Sequence, residues 1–180
     1  NPATGKGPGT AAVAVGYLAD ASAANTFAGG KSATATVDNA VALGVSSSAT
    51  SRNAMALGGY AAASGERAAA VGASKASGTA SFAGGTSANA SGLNSVAIGG
   101  SMDTAKGAQA SGDYSIAQGT NSTSKQQSDI AIGTSSVANG GSTQPAPKPR
   151  NKPGSSVPVT PEDTRGVGSA IAMGKTATAT

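Results

Sequence analysis

Lys148, Arg150 and Lys152 alternate with Pro149, Asn151 and Pro153, the densest run of side chains in this chain able to grip something. Three cations on a proline-stiffened, extended stretch suit an acidic protein surface or a polysaccharide, or else a solvated strap across a neighbouring subunit. Asp103 and Lys106, inside Ser101-Met102-Asp103-Thr104-Ala105-Lys106, form a smaller mixed-charge group. Catalysis has little to draw on. The chain has no Cys and no His, which removes disulfides, thiolate metal sites and the commonest general base. Serines are plentiful, but without His a nucleophile needs a rarer base. Gly174-Lys175-Thr176 has the end of a phosphate-binding loop, yet Gly168 lies five intervening residues upstream where that loop needs four. Gly29-Gly30, Gly84-Gly85 and Gly99-Gly100 lack the Asp of calcium-binding nonapeptides, and Asn89-Ala90-Ser91 and Asn121-Ser122-Thr123 match only the glycosylation acceptor pattern. No enzyme activity, cofactor or metal is expected.

The elements that must carry these groups come from a repeat. A 14-residue unit starts at Ala11, Asn25, Asn39, Asn53, Arg67, Ala80, Asn94, Tyr114, Ser128 and Ser169. Its fourth position is always Ala: Ala14, Ala28, Ala42, Ala56, Ala70, Ala83, Ala97, Ala117, Ala131 and Ala172. Its sixth is always Gly: Gly16, Gly30, Gly44, Gly58, Gly72, Gly85, Gly99, Gly119, Gly133 and Gly174. Apolar residues recur at positions 3 and 5, as in Val41/Leu43 and Val96/Ile98, a period of two that selects strands over a heptad helix. Small residues at positions 9 and 11, such as Ala33/Ala35 and Ala61/Ala63, mark a second short strand. Gly at position 6 makes the corner between them, because Gly alone takes positive φ without penalty. Gly at position 13 and Asn at position 1 make the other corner. The sequence therefore predicts an all-β parallel β-roll, a solenoid of ten two-strand coils, about 50 Å long at about 4.8 Å per coil.

In this reading positions 3 and 5 face positions 9 and 11 inside the roll, large against small. Phe27 and Phe82 are each followed two residues later by Gly29 and Gly84, which conserves the summed volume of the pair. Position 4 then points outward, and its unbroken Ala predicts close packing of another subunit on that sheet. Gln118, at position 5, is expected to be partly buried and hydrogen-bonded to a neighbouring coil.

Asn94-Ser95-Val96-Ala97-Ile98-Gly99, with Ala88-Asn89-Ala90-Ser91-Gly92 as the second half of a unit, resembles the head repeat of YadA-like trimeric autotransporter adhesins. The resemblance spans about residues 11 to 141 and 169 to 180. It implies a left-handed parallel β-roll, a homotrimer with three rolls side by side, and a bacterial surface protein that binds host matrix proteins or cell-surface glycans or receptors. It also implies a coiled-coil stalk and an outer-membrane anchor, neither of which occurs in these 180 residues.

The domains follow: head repeats over 1–141 with a short insertion at 101–106, a Pro-rich basic loop at 142–168, and a continuing coil at 169–180. The coil at Arg67 is one residue short, absorbed near Lys75. Insertions in repeat proteins gather on one face, often the binding face. The remaining composition excludes more than it assigns. Net charge is +4 and the aromatics are only Tyr17, Phe27, Tyr60, Phe82 and Tyr114, so there is no stacking platform for nucleic acid. No stretch is apolar enough to cross a membrane, Asn1-Pro2 does not open a signal peptide, and Thr180 stops within a coil, as in a segment of a longer mature chain. Two other readings stay open: a structural spacer lifting a binding tip elsewhere, and an ice-binding roll. The latter is weakened because the hydroxyl row at position 12 mixes Ser with Thr and breaks at Lys125 and Asn139.

Overall fold

A strand of three residues, a Gly corner, a strand of two residues and a second corner fill each 14-residue unit, and neighbouring units pair through their backbones. The structure, a computed structural model, describes residues 11–102, 107–140 and 170–180. The three-residue strands, from Val13–Val15 to Ile171–Met173, form one ten-stranded parallel sheet. The two-residue strands, from Asp20–Ala21 to Thr178–Ala179, form the other. Register never slips: Ala28 pairs with Ala42, Ala42 with Ala56, and Ala131 with Ala172 across the long insertion. The chain is a β-solenoid, as its period predicts.

Both corners are built from left-handed backbone. The position-6 glycines have φ between +79° and +150°. They also stack on one another, and a Cβ on Gly16 would come within 2.5 Å of the Gly30 carbonyl oxygen. A turn bond closes this corner in each coil, for example from Ala33 N–H to the Gly30 carbonyl at 3.3 Å. Position 8 is left-handed too, at Leu18, Ser32, Ser46, Tyr60, Ser87, Asn121, Ser135 and Thr176. At the opposite corner position 1 takes the same conformation, with φ of +55° at Asn25 and +61° at Asn39. Asn tolerates this region better than most residues, and the Asn25 amide donates to the Asn39 side-chain oxygen at 3.1 Å.

The faces of the first sheet are the reverse of the sequence expectation. Ala28, Ala42, Ala56, Ala70, Ala83, Ala97, Ala117 and Ala131 are fully buried inside the roll, Ala172 is nearly so, and Ala14 packs against the same core. Positions 3 and 5 point outward. The interior is made from positions 2, 4, 9 and 11 and holds only Ala, Ser and Thr, with Asp129 the one charged side chain among its described residues. The two sheets lie too close for large against small; only small against small fits, and the pleat puts every larger apolar residue on the other side. The invariance of position 4 thus reflects interior space. The pairing of Phe27 with Gly29 and Phe82 with Gly84 is a volume exchange on the outer surface, where a Cβ on Gly84 would lie 3.1 Å from Phe82 Cε1. Gln118 is likewise exposed there, not buried.

Several buried hydroxyls bond to the backbone locally, while those of Ser81, Ser95, Ser115 and Ser124 have no hydrogen-bond partner. Thr26 Oγ1 donates to the Ala23 carbonyl at 2.8 Å, and Ser47, Ser122 and Ser136 make the same bond three residues back at the other corner. The short coil keeps Lys75 in register with Ala62 and Asn89, so the missing residue is taken out at Gly72–Ser74, immediately before Lys75. There Ser74 N–H reaches the Gly72 carbonyl at 2.8 Å, a three-residue turn in place of the four-residue one.

Candidate interaction surface

Outward alternation on the first sheet collects the apolar residues of the repeat into one strip. Val13, Phe27, Val41, Met55, Phe82, Val96, Ile116, Ile130 and Ile171 stand in one row, with Val15, Leu43, Leu57, Val71, Ile98, Ile132 and Met173 in the row beside it. In the single chain Val15 is 56% exposed, Leu43 39% and Ile98 42%. Two rows over ten coils make a strip about 7 Å by 43 Å. An apolar strip of that extent, about 300 Å², is of the size that is often functional on a protein surface. The second sheet presents the opposite character: Thr34, Ser48, Lys75, Asn89, Gln109 and Thr123 stand along its outer face.

At the N-terminal end the apolar surface widens around the Gly corner. Tyr17, Leu18, Val45 and Tyr60 are exposed there, with Lys31 among them. Sequence reasoning missed this cluster because positions 7 and 8 of the unit vary in residue type from coil to coil, although Tyr17, Lys31 and Val45 share position 7 and Leu18 and Tyr60 share position 8.

The sequence-predicted ligand residues Lys148, Arg150, Lys152, Asp103 and Lys106 lie outside the described residues. The bases of both insertions are described, and they do not share a face. The short one replaces the residues between Gly99 and Ala108, whose 3.0 Å turn bond survives, so it leaves from the Gly corner. Its return is held by Gln109, whose amide donates to the carbonyls of Gly107 at 3.1 Å and Ser87 at 3.3 Å. The long one leaves after Gly140 and returns at Ala170, on the opposite corner. The bases of the two insertions thus leave the roll at opposite corners.

The carboxylates near that opposite corner serve the backbone. Asp38 accepts from Ala24 N–H at 3.2 Å and Asp113 from Leu93 N–H at 2.8 Å, each tying its coil to the one before. Arg67 and Glu66 form an exposed ion pair at 3.6 Å. Among the described residues no three His, Cys, Asp or Glu side chains gather where they could hold a metal ion, and no helix is long and apolar enough to cross a membrane.

The family model of the YadA head domain repeat, in two copies, matches residues 30–47, 49–74, 76–101, 106–122 and 110–136. No curated protein matches the chain. The matched stretches begin and end inside a roll whose coils continue in register on both sides, Val13 pairing with Phe27 before them and Ile130 with Ile171 after them. With more than half of its length matched and the unmatched coils built on the same strand and corner plan, the chain belongs to the YadA head domain family.

Proposed function

We propose that this chain is the head of a trimeric adhesin on a bacterial surface, and that three copies pack through the apolar outer face of the first sheet. The strip of Val, Leu, Ile, Met and Phe side chains left exposed on a single roll carries this reading. Each copy contributes one such strip, and closing three of them around an axis removes them from water together. Attachment to host cells or extracellular matrix then works by avidity, with three weak sites on a rigid rod and many rods on a cell. The family supports an adhesive role; the ligand, a matrix protein or a cell-surface glycan or receptor, is part of the proposal.

Light scattering of the purified chain gives the mass directly, and a stable monomer overturns the packing. A solid-phase screen against matrix proteins, run beside a dissociated outer-face variant, tests adhesion; equal binding by both forms removes avidity as the mechanism. The unbroken register of both sheets also favours a spacer role. A chain that binds neither matrix nor cells while lengthening the display of a fused binding domain would select it.

A further inference from the structure

Asp129 is fully buried at position 2, where other coils have Ala, Ser or Thr. Its carboxylate accepts from three backbone N–H groups in three consecutive coils: Gln126 at 2.8 Å, Gly140 at 3.2 and 3.3 Å, and Ala170 at 2.9 Å. Gly140 and Ala170 are the last and first described residues on either side of the long insertion. We infer that Asp129 is the clasp of that insertion: one carboxylate holds the outgoing and returning strands together, so the next coil docks in register whatever lies between.

The rest of the corner shows what it replaces. Where no insertion intervenes, the position-2 N–H donates to the carbonyl three residues earlier, as from Ala40 to Val37, Ala54 to Ser51 and Ser95 to Gly92, at 3.1 to 3.3 Å. The position-13 N–H groups of Gly65, Gly78 and Gly92 use a carbonyl of the following coil, that of Ala76, Ala90 and Ala110. At the long insertion Ala170 and Gly140 give those hydrogen bonds to Asp129 instead. An unmade bond at a buried amide is costly, and a single carboxylate has lone pairs enough for all three donors. Asp38 and Asp113 also accept from this edge, but each serves one amide of the adjoining coil. Among the described residues only Asp129 reaches both sides of the break, and Ile130, its neighbour in sequence, pairs with Ile171.

The test is amide hydrogen exchange at Gly140 and Ala170 in the 180-residue chain and in a variant lacking 142–168, in which Gly141 joins Ser169. In the shortened chain Ala170 again lies three residues from Gly140, and the ordinary turn bond re-forms without Asp129. Asp129→Ala, a residue several other coils carry there, is expected to speed exchange at both amides at least tenfold in the full chain, and at Ala170 less than threefold in the shortened one. Asp129→Asn keeps one acceptor oxygen and is expected to fall between. Ser115→Ala, the same position one coil earlier, leaves both amides protected. Equal acceleration at Ala170 in the two backgrounds makes Asp129 an ordinary interior residue and overturns the inference; so does unchanged exchange in the full chain.

Discussion

Ala97→Leu and Ile98→Ser, one residue apart, probe opposite faces of the first sheet. Ala97 is fully buried and pairs in register with Ala83 and Ala117, both also fully buried. The residues of the facing sheet in this stretch, Ala90, Ala108 and Ala110, are buried alanines that have no rotamer to move out of the way. Overpacking a well-packed core costs about 1–3 kcal/mol, and the absence of an adaptable neighbour puts this site at the upper end. For a chain of this size that is a fall in melting temperature of roughly 5–10 °C. Ile98 is 42% exposed in the single roll. Burying that remainder against another copy is worth about 1 kcal/mol per chain, so Ile98→Ser weakens assembly while leaving the coil's interior intact. The assay is thermal circular dichroism beside light scattering at several concentrations. Ala97→Leu is expected to lower the melting temperature without a change of mass in the folded protein, and Ile98→Ser to lower the mass with the β spectrum retained. The reverse outcome, a dissociated but equally stable Ala97→Leu protein, returns the alanines to an outer face and refutes the assignment.

Gly30→Ala combines a φ of +129° with a Cβ placed 2.5 Å from the Gly44 carbonyl oxygen, and is expected to cost about 2–4 kcal/mol, read as a lowered denaturation midpoint. Arg67→Asn puts a residue suited to left-handed backbone at a φ of +58° and loses only an exposed ion pair; a gain of about 0.5–1 kcal/mol is expected in the same titration. Gly84→Leu meets the Phe82 ring on the outer face, so its main effect is expected on mass by light scattering, with the roll's β spectrum unchanged. Deleting 142–168 tests the basic loop: unchanged cell or matrix binding removes Lys148, Arg150 and Lys152 from the candidate site.

Strand, corner and period were legible in the sequence because each is enforced by backbone geometry that few residues satisfy. Gly at position 6 has a steric reason visible in any single copy, and Asn at position 1 takes the left-handed region it favours. Which face of the strand points inward was not legible. Alternation of period two assigns two faces without naming them, and the habit of placing larger apolar residues inside gives the wrong answer when the sheets approach closely. The small residues at positions 9 and 11 carried the missing signal: facing the alanines of position 4, they leave no room for Val or Leu. The left-handed residues at position 8, among them Leu18, Tyr60 and Thr176, were also invisible, since stacking imposes that conformation on side chains that do not prefer it. Asp129 read as one scattered carboxylate because its partners at Gly140 and Ala170 are brought together only by the closed insertion.

An interior of Ala, Ser and Thr limits how a single roll can be stable. A methyl group buried at position 4 removes far less apolar area from water than a Val or Ile does, and hydrophobic stabilisation scales with that area. The backbone ladder fixes register, yet each net hydrogen bond contributes only about 1 kcal/mol against a similar or larger conformational entropy per residue. The residues that could supply the difference, such as Val96, Ile98, Ile116, Ile130 and Ile132 in three consecutive strands of the first sheet, stand on the outside. In most folds the core makes the monomer and the surface makes the assembly. Here the large side chains are assigned to the surface, so folding and assembly draw on the same residues, and an outer-strip variant that keeps its β spectrum is expected to melt at a lower temperature once the chains part.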